Sequence, residues 1–172
     1  MKYYQKVLLY AYPNLEKMIK HIDKMVLSKA LASYSIYTPC FTQAEEIVKY
    51  TLGKEKLLLL KKELEEIFAT FNKEDFIYLE YKYFKRRDKE TESLDTVSRK
   101  YFRRQNKLLM LFSKKLMDKN LNSEWFRENY FIYPYFKELL KKVERQEERV
   151  SRDRLKKAVW LFKIVFVVIT SV

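Results

Sequence analysis

Ser98-Arg99-Lys100-Tyr101-Phe102-Arg103-Arg104-Gln105-Asn106-Lys107-Leu108-Leu109-Met110-Leu111-Phe112-Ser113-Lys114-Lys115-Leu116-Met117 carries two patterns at once. On a helical wheel, at about 100° per residue, Tyr101, Phe102, Gln105, Leu108, Leu109, Phe112 and Leu116 gather on one side. Arg99, Lys100, Arg103, Lys107 and Lys114 gather on the other, with Arg104 and Lys115 at the flank. The apolar steps of three and four predict one amphipathic helix from Thr96 to Met117, with a greasy face and a purely basic face. A solvated helix face usually mixes signs, whereas this stretch holds seven basic residues and no acid.

Upstream, Asn72 is placed to cap a helix, Asp75 follows at the next turn, and Phe71 and Phe76 have the spacing of a hydrophobic staple. That helix is predicted to run through Phe76-Ile77-Tyr78-Leu79-Glu80-Tyr81-Lys82-Tyr83-Phe84. Lys85 to Asp95 is nearly all charged or polar and reads as a turn. Nearer the start, Tyr3 to Ala11 reads as a helix that Pro13 breaks, with Asn14 capping a second one. The second helix shows Leu15, Met18, Ile19, Ile22, Met25 and Val26 on one face. Ser33 to Phe41 reads as a loop. Thr42 with Glu45 reads as a capping box that opens a long helix to about Thr70. Its apolar positions include Ile47, Val48, Leu52, Leu57, Leu60, Leu64, Ile67 and Phe68, and Gly53 is an internal weak point.

Downstream, Asn120 to Ser123 reads as a turn, with Ser123 capping a short aromatic helix that holds Trp125, Phe126 and Tyr130. Pro134 suits the first turn of a last long helix, whose stripe of Phe136, Leu139, Leu140 and Val143 thins out beyond Glu144. Ala158 to Val172 is almost wholly apolar with Lys163 its only charge. It falls short of the roughly 20 residues that cross a bilayer. Its β-branched run Ile164 to Ile169 suits a helix poorly. Three readings stay open for this tail: docking on the body, a membrane-surface anchor, or no role of its own.

Composition agrees with helices. Gly occurs once and Pro three times in 172 residues, too few for the tight turns of a sheet protein. The expected fold is all-α: a helical bundle with a degenerate helix-turn-helix and a long C-terminal helix. Three segments organise it: an N-terminal helical hairpin over 1–71, the helix-turn-helix region over 72–117, and the C-terminal helices with the apolar tail over 118–172. The net charge is +13, from 36 Lys and Arg against 23 Asp and Glu, which attracts polyanions. Lys, Tyr, Phe, Ile and Asn are also the residues of AT-rich codons, so codon bias competes as the source of the total, though not of where the charge sits.

Basic and amide groups cluster in the first half of the opening helix: Ser98, Arg99, Lys100, Arg103, Arg104, Asn106 and Lys107. Recognition helices present their N-terminal turns to the major groove, where Arg pairs with guanine edges and Asn with adenine. Arg86 and Arg87 in the preceding turn add charge suited to the phosphate backbone. Duplex DNA is therefore the expected partner; the bland alternative is a solvated basic helix.

Phe76 to Lys85, followed by Val97-Ser98-Arg99-Lys100-Tyr101-Phe102-Arg103-Arg104-Gln105-Asn106-Lys107-Leu108-Leu109, resembles the fourth conserved region of bacterial sigma factors. It is similar as well to small sigma-like regulators of Gram-positive bacteria and their phages. The resemblance spans Phe71 to Leu116. It implies that the first piece precedes a helix-turn-helix and that the second, beginning at Ser98, is the recognition helix. Where the family carries a Ser-x-x-Glu-Ile-Ala type helix, this chain has Lys89-Glu90-Thr91-Glu92-Ser93-Leu94-Asp95-Thr96. The aromatic promoter-melting region of a full sigma factor is missing, so the implied protein is a small regulator, with RNA polymerase or another protein as a further partner.

Nothing in the sequence suggests an enzyme, a cofactor or a metal. One His and one Cys, His21 and Cys40, supply too few ligands for a metal site. A nucleophilic pair of the two is weaker than a free thiol and a surface imidazole. A single Gly excludes a Gly-rich phosphate loop. The paired acids Glu45-Glu46, Glu65-Glu66 and Glu147-Glu148 read as solvated faces. With one Cys no intramolecular disulfide forms, and Val7 to Tyr12 is too short for a signal peptide, so the expected location is the cytoplasm.

Overall fold

The computed structural model describes residues 2–32, 39–84 and 98–170, with only the backbone described for 154 and 157–170. Among the described residues six helices follow one another: α1 Tyr3–Ala32, α2 Cys40–Phe68, α3 Lys73–Leu79, α4 Arg99–Asp118, α5 Ser123–Tyr130 and α6 Pro134–Thr170. A π-helical turn, Glu80–Phe84, extends α3. No strand occurs among the described residues, so the fold is all-α.

The α1–α2 hairpin is antiparallel. Asp23 pairs with Lys54 at 2.5 Å and Glu16 approaches Lys61 at 3.9 Å, so α2 climbs as α1 descends. Helix α6 also runs antiparallel to α1: the Asn14 amide donates to the Tyr135 hydroxyl at 3.1 Å, and Lys6 pairs with Glu147. One buried cluster gathers Val7, Leu8, Leu15, Leu57, Leu60, Leu64, Leu79, Phe112, Leu116, Phe126 and Phe136. All three sequence segments therefore feed the same core.

Phe68 stands at the meeting point of α1, α2, the π-turn and α4. Its ring lies 4.7 Å from that of Tyr12, 5.5 Å from Phe76, 5.7 Å from Phe84 and 5.8 Å from Phe112. Such pairs add about 0.5–1.5 kcal/mol each beyond burial. The ring stack of Phe68 on Phe112, tilted by only 11°, sets the apolar face of α4 against the hairpin.

Several local expectations are corrected. Pro13 does not end α1, which continues to Ala32. A proline inside a helix loses one backbone bond and costs roughly 3 kcal/mol. Continuing the helix keeps Val7, Leu8 and Ala11 in line with Leu15, Ile19 and Ile22 on one buried stripe, and that packing decides the outcome. Asn14 accordingly caps nothing. Helix α2 opens at Cys40 rather than at a Thr42–Glu45 box; Pro39 holds the N-cap position with no side-chain cap. Cys40 is thus helical and exposed rather than in a loop. Asn72 is the N-cap of α3, but only its carbonyl is used, accepting from Asp75 N–H at 3.0 Å. The cap of α5 is Asn122, not Ser123: its side chain accepts from Trp125 N–H at 2.8 Å.

The stripe expected along α2 is buried only from Leu57 onward; Val48 and Leu52 are exposed. With Phe41, Leu59 and Ile132 they line a shallow apolar groove against Tyr133 and Pro134. The acid pairs are not simply solvated either. Glu46, Glu66 and Glu147 tie helices together through Lys29, Lys119 and Lys6. At the far end α6 stays helical to Thr170 despite its β-branched run. Extending an existing helix needs no nucleation, and the propensity deficit is a few tenths of a kcal/mol per residue.

Candidate nucleic-acid interface

Helix α4 begins where its sequence provides a cap. The Ser98 hydroxyl oxygen accepts from Tyr101 N–H at 3.2 Å, so one candidate contact residue already serves the helix start. Helix α4 ends in a Schellman turn: Leu121 N–H donates to Leu116 C=O at 2.8 Å and Asn120 N–H to Met117 C=O at 2.9 Å. Asn120 takes the left-handed conformation this turn requires, φ 57°.

Tyr101, Gln105, Leu108, Phe112 and Leu116 face inward and are buried. Gln105 is the one polar member of that row and is fully engaged. Its amide nitrogen donates to the Tyr101 hydroxyl at 2.9 Å and to Tyr78 C=O at 3.3 Å. Its oxygen accepts from the Lys82 ammonium at 2.6 Å. Much of Lys82 is open to solvent, but its ammonium turns inward from the π-turn. Burial and the neighbouring Lys6 hold its pKa below the ordinary lysine range, against the pull of Glu147.

Arg104 is bound within the fold. Its Nε donates to Asp75 at 2.7 Å, its Nη2 donates to Glu74 at 3.0 Å, and its guanidinium lies 4.9 Å from the centre of the Tyr78 ring. The two carboxylates raise its pKa further. Both carboxylates stand in the first turn of α3, where negative charge suits the helix dipole. Arg104 thus works as a strut between α3 and α4, in a position the wheel had placed at the edge of the basic face.

Arg99, Lys100, Arg103, Asn106 and Lys107 are exposed. The four cations among them have no ion-pair partner among the described residues. Arg99, Arg103 and Lys107 follow at four-residue steps, so like charges stack on neighbouring turns, each pair costing about 0.2–0.5 kcal/mol in an isolated helix. The face is not purely basic, which corrects the wheel reading. Met110 is 73 % exposed one turn beyond Lys107, and Met117 is exposed one turn beyond Lys114. Phe102, assigned to the greasy side, is 55 % exposed at the border of the basic row. Periodicity alone could not show that the inner face is only wide enough for five residues. Arg86 and Arg87 lie outside the described residues, as does the whole segment from Lys85 to Val97, including the position of the first helix of a helix-turn-helix.

His21 and Cys40 are exposed on α1 and at the first turn of α2. Among the described residues no three His, Cys, Asp or Glu side chains form a metal-ligand group. No family model, no curated protein and no solved structure matches this chain.

Proposed function

We propose that the chain is a DNA-binding transcriptional regulator of sigma-like type, contacting duplex DNA through the exposed face of α4. One observation carries the reading: the row Arg99, Lys100, Arg103 and Lys107, beside Asn106, is exposed and has no ion-pair partner among the described residues, at the N-terminal half of a helix whose other side is locked into the core. Stacked like charge is unfavourable in the isolated protein and becomes favourable against phosphates. The cap at Ser98 supports the likeness to a recognition helix that begins at a serine. Phe102 and Met110 would add apolar contact with sugars or thymine methyls. In this reading the protein is not a catalyst.

The test is fluorescence anisotropy with duplex DNA at 50–200 mM salt, conditions over which phosphate contacts weaken steeply. Wild-type protein binds with a clear salt dependence, and R99E/R103E/K107E does not bind. Salt-independent or absent binding by the wild type refutes the reading.

A second reading, a helical module that docks on RNA polymerase or another protein while α4 is merely solvated, is favoured by the groove of Phe41, Val48, Leu52, Leu59 and Ile132. Exposed contiguous apolar surface marks interaction sites. A stable protein complex that retains no nucleic acid and is lost in Leu52→Asp would favour it.

A further inference from the structure

Among the described side chains Val143 is the last buried one of α6, and the Lys6–Glu147 pair is the last that ties this helix to the body. From Glu148 to Lys156 every residue whose side chain is described is exposed, including Leu155 at 66 %. The backbone remains one helix to Thr170, with no turn at which it would fold back onto the bundle. Along this free length the sequence changes character. Arg149, Arg152, Arg154, Lys156 and Lys157 stand against Glu148 and Asp153, with Glu148 3.9 Å from Arg152; then Ala158 to Val172 follows with Lys163 as its only charge and Trp160 near its start.

We propose that α6 beyond Glu147 is a surface anchor for anionic lipid bilayers, with the basic collar 149–157 on the headgroup phosphates and the apolar segment from Ala158 onward in the interfacial region. The proposal is independent of the DNA reading.

Charge chooses the occupant. An apolar helix alone fits any greasy surface, but a collar of five cations against two acids directly before it asks for a dense anionic plane. A bilayer rich in anionic lipid is such a plane. The apolar groove beside α2, the obvious seat for the tail of a second copy, is rimmed by Glu45, Lys49, Glu55 and Lys56 and offers no net negative charge. Length fits an interfacial position. Helical rise gives about 20 Å for the apolar part that is helical, against the roughly 30 Å of a hydrocarbon core. No helix among the described residues is long and apolar enough to cross a membrane. Stable attachment of a surface segment takes two signals, an apolar one and an electrostatic one, and this helix carries both in sequence.

The experiment is co-sedimentation of the full chain with vesicles of phosphatidylcholine alone or mixed with phosphatidylglycerol. The expected result is binding to the mixed vesicles at least ten-fold tighter than to phosphatidylcholine. Truncation after Lys157 loses binding to both. R149Q/R152Q/K156Q loses the preference for anionic lipid. R99E/R103E/K107E retains binding, which separates this anchor from the α4 face. In a Trp125→Phe background the remaining tryptophan, Trp160, shifts its emission to the blue on vesicle addition. The truncated protein should melt at an unchanged temperature, because every core residue among those described precedes the cut. Retained vesicle binding after truncation, or loss in the α4 variant alone, overturns the proposal. So does a tail-dependent oligomer in solution that ignores vesicles.

Discussion

Arg104 reaches out of α4 to the carboxylate of Asp75, 2.7 Å away, and so fixes the basic helix to the first turn of α3. The pair is partly open to water, so its contribution is modest. Arg104→Ala should lower stability by about 1 kcal/mol, a charge-assisted bond discounted for exposure. Urea melts check the value. Arg104→Lys should recover only part of the loss, since an ammonium cannot reproduce the fork that holds Asp75 and Glu74 together with the Tyr78 ring.

Arg103 sits one turn from both Arg99 and Lys107 and faces solvent. Arg103→Glu should therefore raise the melting temperature, a gain of about 0.8–2 kcal/mol from two repulsive pairs made attractive. The same change should weaken DNA binding and reduce the slope of log affinity against log salt by about one. A residue that is merely solvated would give the first effect without the second.

Phe112 is fully buried, stacked on Phe68. Phe112→Ala should cost about 3–5 kcal/mol in denaturant unfolding. Its loss detaches the inner face of α4 from the hairpin, so DNA affinity should fall together with near-ultraviolet circular dichroism. A variant that keeps affinity at full strength would show that α4 binds without its scaffold.

Gly53 lies inside α2 with the Tyr133 hydroxyl donating to its carbonyl at 2.9 Å. An added Cβ would come within 3.1 Å of that hydroxyl oxygen. The usual helix gain of about 1 kcal/mol for Gly→Ala should thus be missing in the wild-type background and appear in a Tyr133→Ala background. A double-mutant cycle reads the coupling directly.

Burial pushes the hydroxyls of Tyr83 and Tyr130 well above the ordinary 10.0. Unfolded chains ionise these groups near that value while the folded protein keeps them neutral, so the unfolded state holds fewer protons there. Their contribution is fully present below pH 10 and is lost as pH rises through that range and beyond. Melting temperature should fall on the alkaline side, with a late tyrosinate absorbance that appears only on unfolding.

Long periodic segments were legible in the sequence. Leu108, Phe112 and Leu116 announce the inner face of α4, and Leu15, Ile19 and Ile22 that of α1, because burial at helical spacing is a strong and local signal. Caps and breaks were less legible. Pro13 carries a local signal to stop, and it is overruled by contacts with α2 and α6 that no window around Pro13 contains. Asn122 prevails over Ser123 because the exit geometry of the Schellman turn at Asn120 fixes which side chain reaches Trp125 N–H. At the candidate interface, the exposed row of Arg99, Lys100, Arg103 and Lys107 follows directly from the wheel. The withdrawal of Arg104 does not, since its partners Glu74 and Asp75 sit on a different helix. The π-turn at Glu80–Phe84, which brings Lys82 to Gln105, leaves no mark in residue periodicity.

Besides its packing on α2, helix α1 is tied to chain that comes much later. The Tyr4 hydroxyl donates to Leu121 C=O across 117 residues, Asn14 meets Tyr135 across 121, and Lys6 meets Glu147 across 141. On a ribosome α1 emerges before α2 to α6 and would be completed only with the last of them. Until α6 leaves the exit tunnel, the greasy stripe from Val7 to Ile22 is covered only in part, by α2, the π-turn and α4, and such exposure invites aggregation. Synthesis rate and chaperone access should therefore bear on the yield of this protein alongside its final stability.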